Sequence, residues 1–163
     1  MKQLNKYLLK NIFEDKVDFN FWHTISREYE LSEDFIRIYQ DKLNWYYISE
    51  YQDLSEKFII EFKDKVNVNL VLKNQKLSIK FLNKTLKSYI GCAKKLGRNE
   101  NNADVIEFYA MLIRNKHIKN SNKKYQKSIL MMFIPAIKLN KNYYYEHMTE
   151  YMKDLYDKMS IFL

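Results

Sequence analysis

"WYYISEYQDLSEKFIIEFKDKVN" (45–67) follows directly on "WHTISREYELSEDFIRIYQDKLN" (22–44), and the two lines agree at 11 of 23 positions. Trp22 aligns with Trp45, Ile25 with Ile48, Ser26 with Ser49 and Leu31 with Leu54. Ser32, Glu33, Phe35 and Ile36 then align with Ser55, Glu56, Phe58 and Ile59. A third, eroded copy comes next, in which Val68, Val71, Gln75, Leu77, Ser78, Phe81 and Leu82 continue the pattern. A partial copy precedes: Phe13 with "DKVD" (15–18) echoes Tyr39 with "DKLN", and three extra residues, "FNF" (19–21), shift its phase. Self-similarity at a fixed short period is the signature of a repeat array.

Each copy reads as two short helices. Trp45, Ile48 and Gln52 fall at i, i+3 and i+7, one helical face. The second helix opens at a serine: Ser55 is placed to cap the first amides of "EKFIIEFKDK", with Glu56 in the first turn favouring the helix dipole. Phe58, Ile59 and Phe62 form its apolar stripe. A helix of about ten residues does not bury such a stripe alone, so neighbouring copies must cover one another. The expectation is an all-α chain in which helical pairs of 23 residues stack into a small solenoid-like array over 1–90, followed by a helical C-terminal half, 91–163. Trp22 and Trp45 recur in phase with Ile25 and Ile48, which reads as core rather than as an aromatic platform for bases.

Composition agrees. Two glycines and one proline in 163 residues leave too few turn residues for many hairpins, while 47% hydrophobic content excludes a disordered chain. Cys92 stands alone, which excludes an intramolecular disulfide and a cysteine-based zinc cluster. "MKQLNKYLLKNIFEDKVD" lacks the continuous apolar core of a signal peptide, and "ILMMFIPAI" (129–137) is too short to span a bilayer. A cytoplasmic setting without membrane contact is expected.

The pattern W-x-x-I-S-x-x-Q-x-L-S-E-x-F-I, carried by residues 45–59 and in weaker form on either side, resembles a short helical repeat of uncharacterised bacteriophage, giant-virus and low-GC bacterial proteins. The resemblance covers roughly residues 13–90 and implies a helical array but no particular activity. Tyr29 stands at the Gln position in the first copy, and Val68 and Leu72 replace Trp and Ser in the third. Those departures suggest a worn array end, capped by the C-terminal half of the chain.

The rest of the chain is read from its charge. Residues 1–90 hold 15 Lys+Arg and 13 Asp+Glu, residues 91–163 hold 13 and 7. No acid occurs between Asp64 and Glu100 or between Glu107 and Glu146. After Ser78, Lys80, Lys84 and Lys87 share one helix face, with Leu82, Leu86 and Tyr89 opposite. With Lys94, Lys95, Arg114, Lys123, Lys124 and Lys127, they make up the candidate partner- or polyanion-binding surface. Three more helices are expected: "ADVIEFYAMLIRNK"; "KKYQKSILMMFIPAIKL", kinked or shortened at Pro135; and "YYYEHMTEYMKDLYDKMSIFL". The last carries Tyr144, Met148, Tyr151, Met152, Leu155 and Met159 on one wide stripe, which is core or, as the alternative, a partner groove.

No phosphate-cradling glycine loop, HExxH or GxSxG is present. "EHMTE" puts Glu146 and Glu150 at i, i+4, with His147 off that face, too little for a metal without ligands from a second helix. A non-enzymatic protein without cofactor or metal is expected. Its expected role is a phage-type interaction protein that binds and inhibits or redirects a host nucleic-acid machine. The sharpest form is an anti-CRISPR or other anti-defence inhibitor, with a CRISPR effector or other host ribonucleoprotein as partner. Two other readings stand beside it, a regulator that binds DNA or RNA directly and a purely structural helical adaptor.

Overall fold

The computed structural model describes residues 1–14, 16–95, 103–139 and 141–160. Among the described residues twelve helices account for nearly all regular structure, so the chain is all-α. A two-residue parallel pair, β1 (Lys2–Gln3) with β2 (Tyr29–Glu30), is the sole sheet among them. The chain divides into two compact units, 1–71 and 72–163.

The first unit holds α1 (Lys6–Phe13), α2 (Phe19–Glu28), α3 (Glu33–Ile38), α4 (Trp45–Tyr51), α5 (Glu56–Glu61) and the start of α6 (Val68–Asn74). The two full copies are built from the same local bonds. Ser32 and Ser55 cap α3 and α5, each hydroxyl accepting at 3.2 Å from the amide three residues on. Ser26 and Ser49 donate to the carbonyls of Trp22 and Trp45, both at 2.7 Å. The same two hydroxyls accept from the amides of Asn44 and Asn67, at 3.0 and 2.9 Å, which fixes where the next helix starts. Asp18, Asn44 and Asn67 then cap α2, α4 and α6. The three extra residues of "FNF" extend α2 to ten residues where α4 has seven, so the phase shift is absorbed as added helix.

Ile25, Ile48 and Val71 are buried, as are Leu31 and Leu54, Ile36 and Ile59, and Leu43 and Val66. Trp22 is buried with them, whereas Trp45 is half-buried. Its ring lies against Phe58 and Phe62 (centroids 6.3 and 5.0 Å), and its indole N–H donates to the Gln40 carbonyl at 2.8 Å. Lys65 covers the Trp45 ring at 5.7 Å, as Lys42 covers Trp22 at 5.4 Å. A base would have to displace these ammonium groups, so neither ring is an open platform.

The second unit holds α7 (Ile79–Lys95), α8 (Ala103–Ile113), α9 (Lys116–Lys119), α10 (Lys123–Leu139), α11 (Lys141–His147) and α12 (Glu150–Ser160). The third copy's Ser78 caps α7 through the Phe81 amide at 3.1 Å. Where the earlier copies turn at "DKLN" and "DKVN", this copy reads "KSYI" (87–90), which lacks the helix-stopping Asp and Asn, and α7 runs on to 17 residues. The division at 90 read from sequence falls inside this helix. Leu82 on α7, Phe108, Tyr109, Leu112 and Ile113 on α8, Ile129 and Leu130 on α10, and Tyr144, Met152 and Tyr156 on α11 and α12 are buried.

Three local expectations are corrected. The basic link after α8 contains a helical turn, α9, because Asn115 caps it and Ile118 is buried. Of the kink or shortening expected at Pro135, the shortening does not occur, since α10 is helical to Leu139. Proline forfeits the bond to the carbonyl four residues back, and that residue, Met131, is 49% exposed, so water can take the vacant acceptor. The C-terminal stripe is two helices, because the Thr149 hydroxyl caps α12 through the Met152 amide (3.2 Å) while donating to Gln126 Oε1 (2.6 Å). Of that stripe Tyr144, Met148 and Met152 are core, while Tyr151, Leu155 and Met159 are half-buried.

Candidate nucleic-acid interface

Charge separates at the boundary between the units. Residues 1–71 carry 10 Lys+Arg and 13 Asp+Glu, a net charge of −3; residues 72–163 carry 18 and 7, a net charge of +11. Much of the acid in 1–71 is already used within that unit. Glu61 receives Arg37 at 2.9 Å, Asp41 receives Lys65 at 2.8 Å, and Glu28 receives Lys2 and Arg27, each at 2.9 Å. Hydrogen bonds from Lys2 and Arg27 hold the Glu28 carboxyl below its ordinary pKa, and those from Arg37 do the same for Glu61.

The second unit has no such balance on its basic faces. Lys80, Lys84, Lys87 and Lys95 are all exposed on α7. Among the described residues no carboxylate reaches ion-pairing distance of Lys80, Lys84 or Lys87. These three border a shallow depression of about 550 Å³ that Ile79 and Asn83 complete. The helix sets this geometry: Lys80, Lys84 and Lys87 follow one another at about one turn, while Leu82 is sealed beneath at 0% exposure. The side chain of Lys94 lies outside the described residues.

Lys123, Lys124 and Lys127 are exposed along the first two turns of α10. Lys123 sits over the Tyr151 ring at 5.6 Å. The Tyr125 hydroxyl donates to the Leu77 carbonyl, which ties the start of α10 to the start of α7. The structure therefore joins the two sequence-distant basic blocks at one end of each. Arg114 is exposed just past the end of α8.

A second concavity, of about 520 Å³, lies in 1–71 between Trp22, His23, Lys42, Asn44 and Trp45. Asp18 and Asp41 line it as well, so it is mixed in sign and unsuited to a polyanion. Glu146 and Glu150 do not share a helix face as expected, since α11 ends at His147 and Glu150 opens α12, bound to Lys153 at 2.9 Å. Among the described residues no three His, Cys, Asp or Glu side chains gather as a metal-ligand set, and no helix is long and apolar enough to cross a membrane.

Sequence reasoning missed the buried amides. Gln52, 1% exposed, donates to the carbonyls of Ser26 (3.1 Å) and Tyr29 (2.8 Å), and its oxygen accepts from the Leu31 amide (2.9 Å). Asn115, also 1% exposed, donates to the carbonyls of Leu72 (2.7 Å) and Gln75 (2.9 Å). Leu72 and Gln75 hold the places in the third copy that Ser26 and Tyr29 hold in the first. Asn115 therefore makes with the third copy the pair of carbonyl bonds that Gln52 makes with the first. No local signal in the sequence marks Asn115, whose partners lie 40 and 43 residues away. Asn83 was also passed over, although helical spacing from Lys80 places it on the basic face.

The chain matches no protein-family model, no curated protein and no solved structure in the comparisons made.

Proposed function

We propose that this chain is a non-catalytic binding protein whose basic unit, 72–163, engages the phosphate backbone of a nucleic acid, free or held within a host nucleoprotein. The observation that carries the reading is the charge separation: a net +11 gathers in one compact unit, with Lys80, Lys84 and Lys87 of α7 exposed and, among the described residues, without carboxylate partners. Dense lysine on one face releases counterions from a polyphosphate, which supplies affinity without base recognition. An inhibitor of a host nucleic-acid machine, with anti-CRISPR action as its narrowest form, is one biological setting for such a surface. That narrower form rests on the repeat resemblance.

The test is fluorescence anisotropy on random-sequence DNA and RNA at several salt concentrations. Wild type is expected to bind with a steep salt slope. Reversing Lys80, Lys84 and Lys87 to Glu together should cut affinity by more than ten-fold and flatten the slope by about 0.9 for each phosphate no longer neutralised. Circular dichroism should report an unchanged fold. Absent binding to every nucleic acid at low salt, or salt-independent binding, would return the charge to a solvation role and favour the structural adaptor.

A further inference from the structure

One face of α7 differs in kind from the rest of the basic surface. At 100° per residue, Lys80, Asn83, Lys84, Lys87, Ser88, Gly91 and Lys95 fall within an arc of about 140°, and Lys94 shares it by position. The arc has no acid and no large apolar side chain. Asn83, Lys84, Lys87 and Ser88 are all exposed. The opposite side carries Leu82, fully buried, and α7 packs there on α8 and α10.

Gly91 sits near the middle of the arc, one turn from Lys87 and one from Lys95. Glycine weakens a helix interior, so its use there calls for a reason. Among the described residues close packing is not that reason, because apart from the adjoining residues and the helix's own backbone nothing lies within 4 Å of where a Cβ would stand. What the missing side chain leaves open is approach from outside.

We infer that α7 is a groove-docking helix for duplex DNA, with Asn83 facing base edges and the lysines on the flanking phosphates. The inference rests on the reading of 72–163 as a phosphate-binding unit and goes further by naming the form of nucleic acid. A helix with its side chains, about 10–12 Å across, fits the major groove of B-form DNA, about 12 Å wide. The major groove of A-form RNA is too narrow and deep to admit it. An asparagine amide matches the donor–acceptor pair that adenine presents in that groove. The 17 residues of α7 span about 25 Å, enough to carry lysines past both groove walls.

The experiment measures binding of the full chain to a random-sequence DNA duplex of about two helical turns, to the RNA duplex of the same sequence, and to single-stranded DNA. Wild type is expected to prefer duplex DNA over duplex RNA by ten-fold or more. Gly91→Leu puts bulk on the docking face while favouring the helix, so duplex DNA binding should fall at least ten-fold with the melting temperature unchanged or raised. Selection from a random duplex pool should enrich an adenine for wild type and lose that enrichment in Asn83→Ala. Equal binding of DNA and RNA duplexes, undiminished duplex DNA binding by Gly91→Leu, or no base enrichment by wild type would each overturn the inference while leaving phosphate binding intact. Failure to bind any of the three probes would overturn both readings.

Discussion

Residues 1–71 and 72–163 solve the same packing problem with different visibility. In the first unit the repeat is written in its side chains: Trp, Ile, Ser, Leu, Ser, Phe and Ile return at 23-residue spacing, and each returning serine makes the same hydrogen bonds. In the second unit those letters fade, yet Asn115 binds the carbonyls of Leu72 and Gln75 as Gln52 binds those of Ser26 and Tyr29. The difference teaches which parts of the repeat its geometry needs. A buried amide reaches two neighbouring carbonyls in both units, with or without the tryptophan and the serine. Charge changes in the opposite sense: the visibly repetitive unit is near balance, and the eroded one carries the excess of lysine.

The largest effects should come from one large core ring in each unit. Phe58→Ala and Phe108→Ala remove side chains that are 0% and 1% exposed, and each should cost about 3–5 kcal/mol in chemical denaturation. Trp45→Ala should cost less than Phe58→Ala, since its ring is half-buried. Equal losses at Trp45 and Phe58 would mean that the indole packs more tightly than its exposure indicates.

The buried amides give the sharpest comparison. Gln52→Leu and Asn115→Leu each leave two carbonyls without their side-chain donor, at about 1–3 kcal/mol for each group left unsatisfied. Losses of similar size in the two variants are expected if Asn115 does the work of a repeat glutamine. A loss at Gln52 with none at Asn115 would break the equivalence. Ser55→Ala, which removes a helix cap, should cost about 1 kcal/mol.

The legibility of the sequence followed the same division. Helix class, the serine caps at 32, 55 and 78, and the exposed row Lys80, Lys84, Lys87 could all be read from spacing, because each depends on residues within a few positions. Asn115 could not, because its partners lie 40 and 43 residues away and nothing local distinguishes it from a loop asparagine. The break at Thr149 was legible in principle, since Thr is an N-cap residue and Glu150 suits a first helical turn, but the surrounding run of Tyr and Met dominated the pattern. The size of the charge separation was hidden by a division drawn at 90, which assigned five lysines of 72–90 to the near-neutral half.

The smallest expected effect is on acid stability, and it separates the units by probe. Both tryptophans, Trp22 and Trp45, belong to 1–71, so tryptophan emission reports that unit alone. Hydrogen bonds from Arg37 hold the Glu61 carboxyl below its ordinary value, and the Glu61 carboxylate raises the Arg37 guanidinium in turn. A depressed carboxyl contributes stability above its unfolded pKa and loses it as pH falls through the folded value. Arg37 is protonated throughout, so the pH dependence belongs to Glu61. Both groups face solvent, and added salt should shrink the effect. Following emission during denaturation at descending pH, Arg37→Gln should start less stable near neutrality and converge with wild type once Glu61 is protonated. A constant gap between the two down to the lowest pH would assign the loss to the packing of the guanidinium over Phe58, which it overlies at 5.1 Å, rather than to the ion pair.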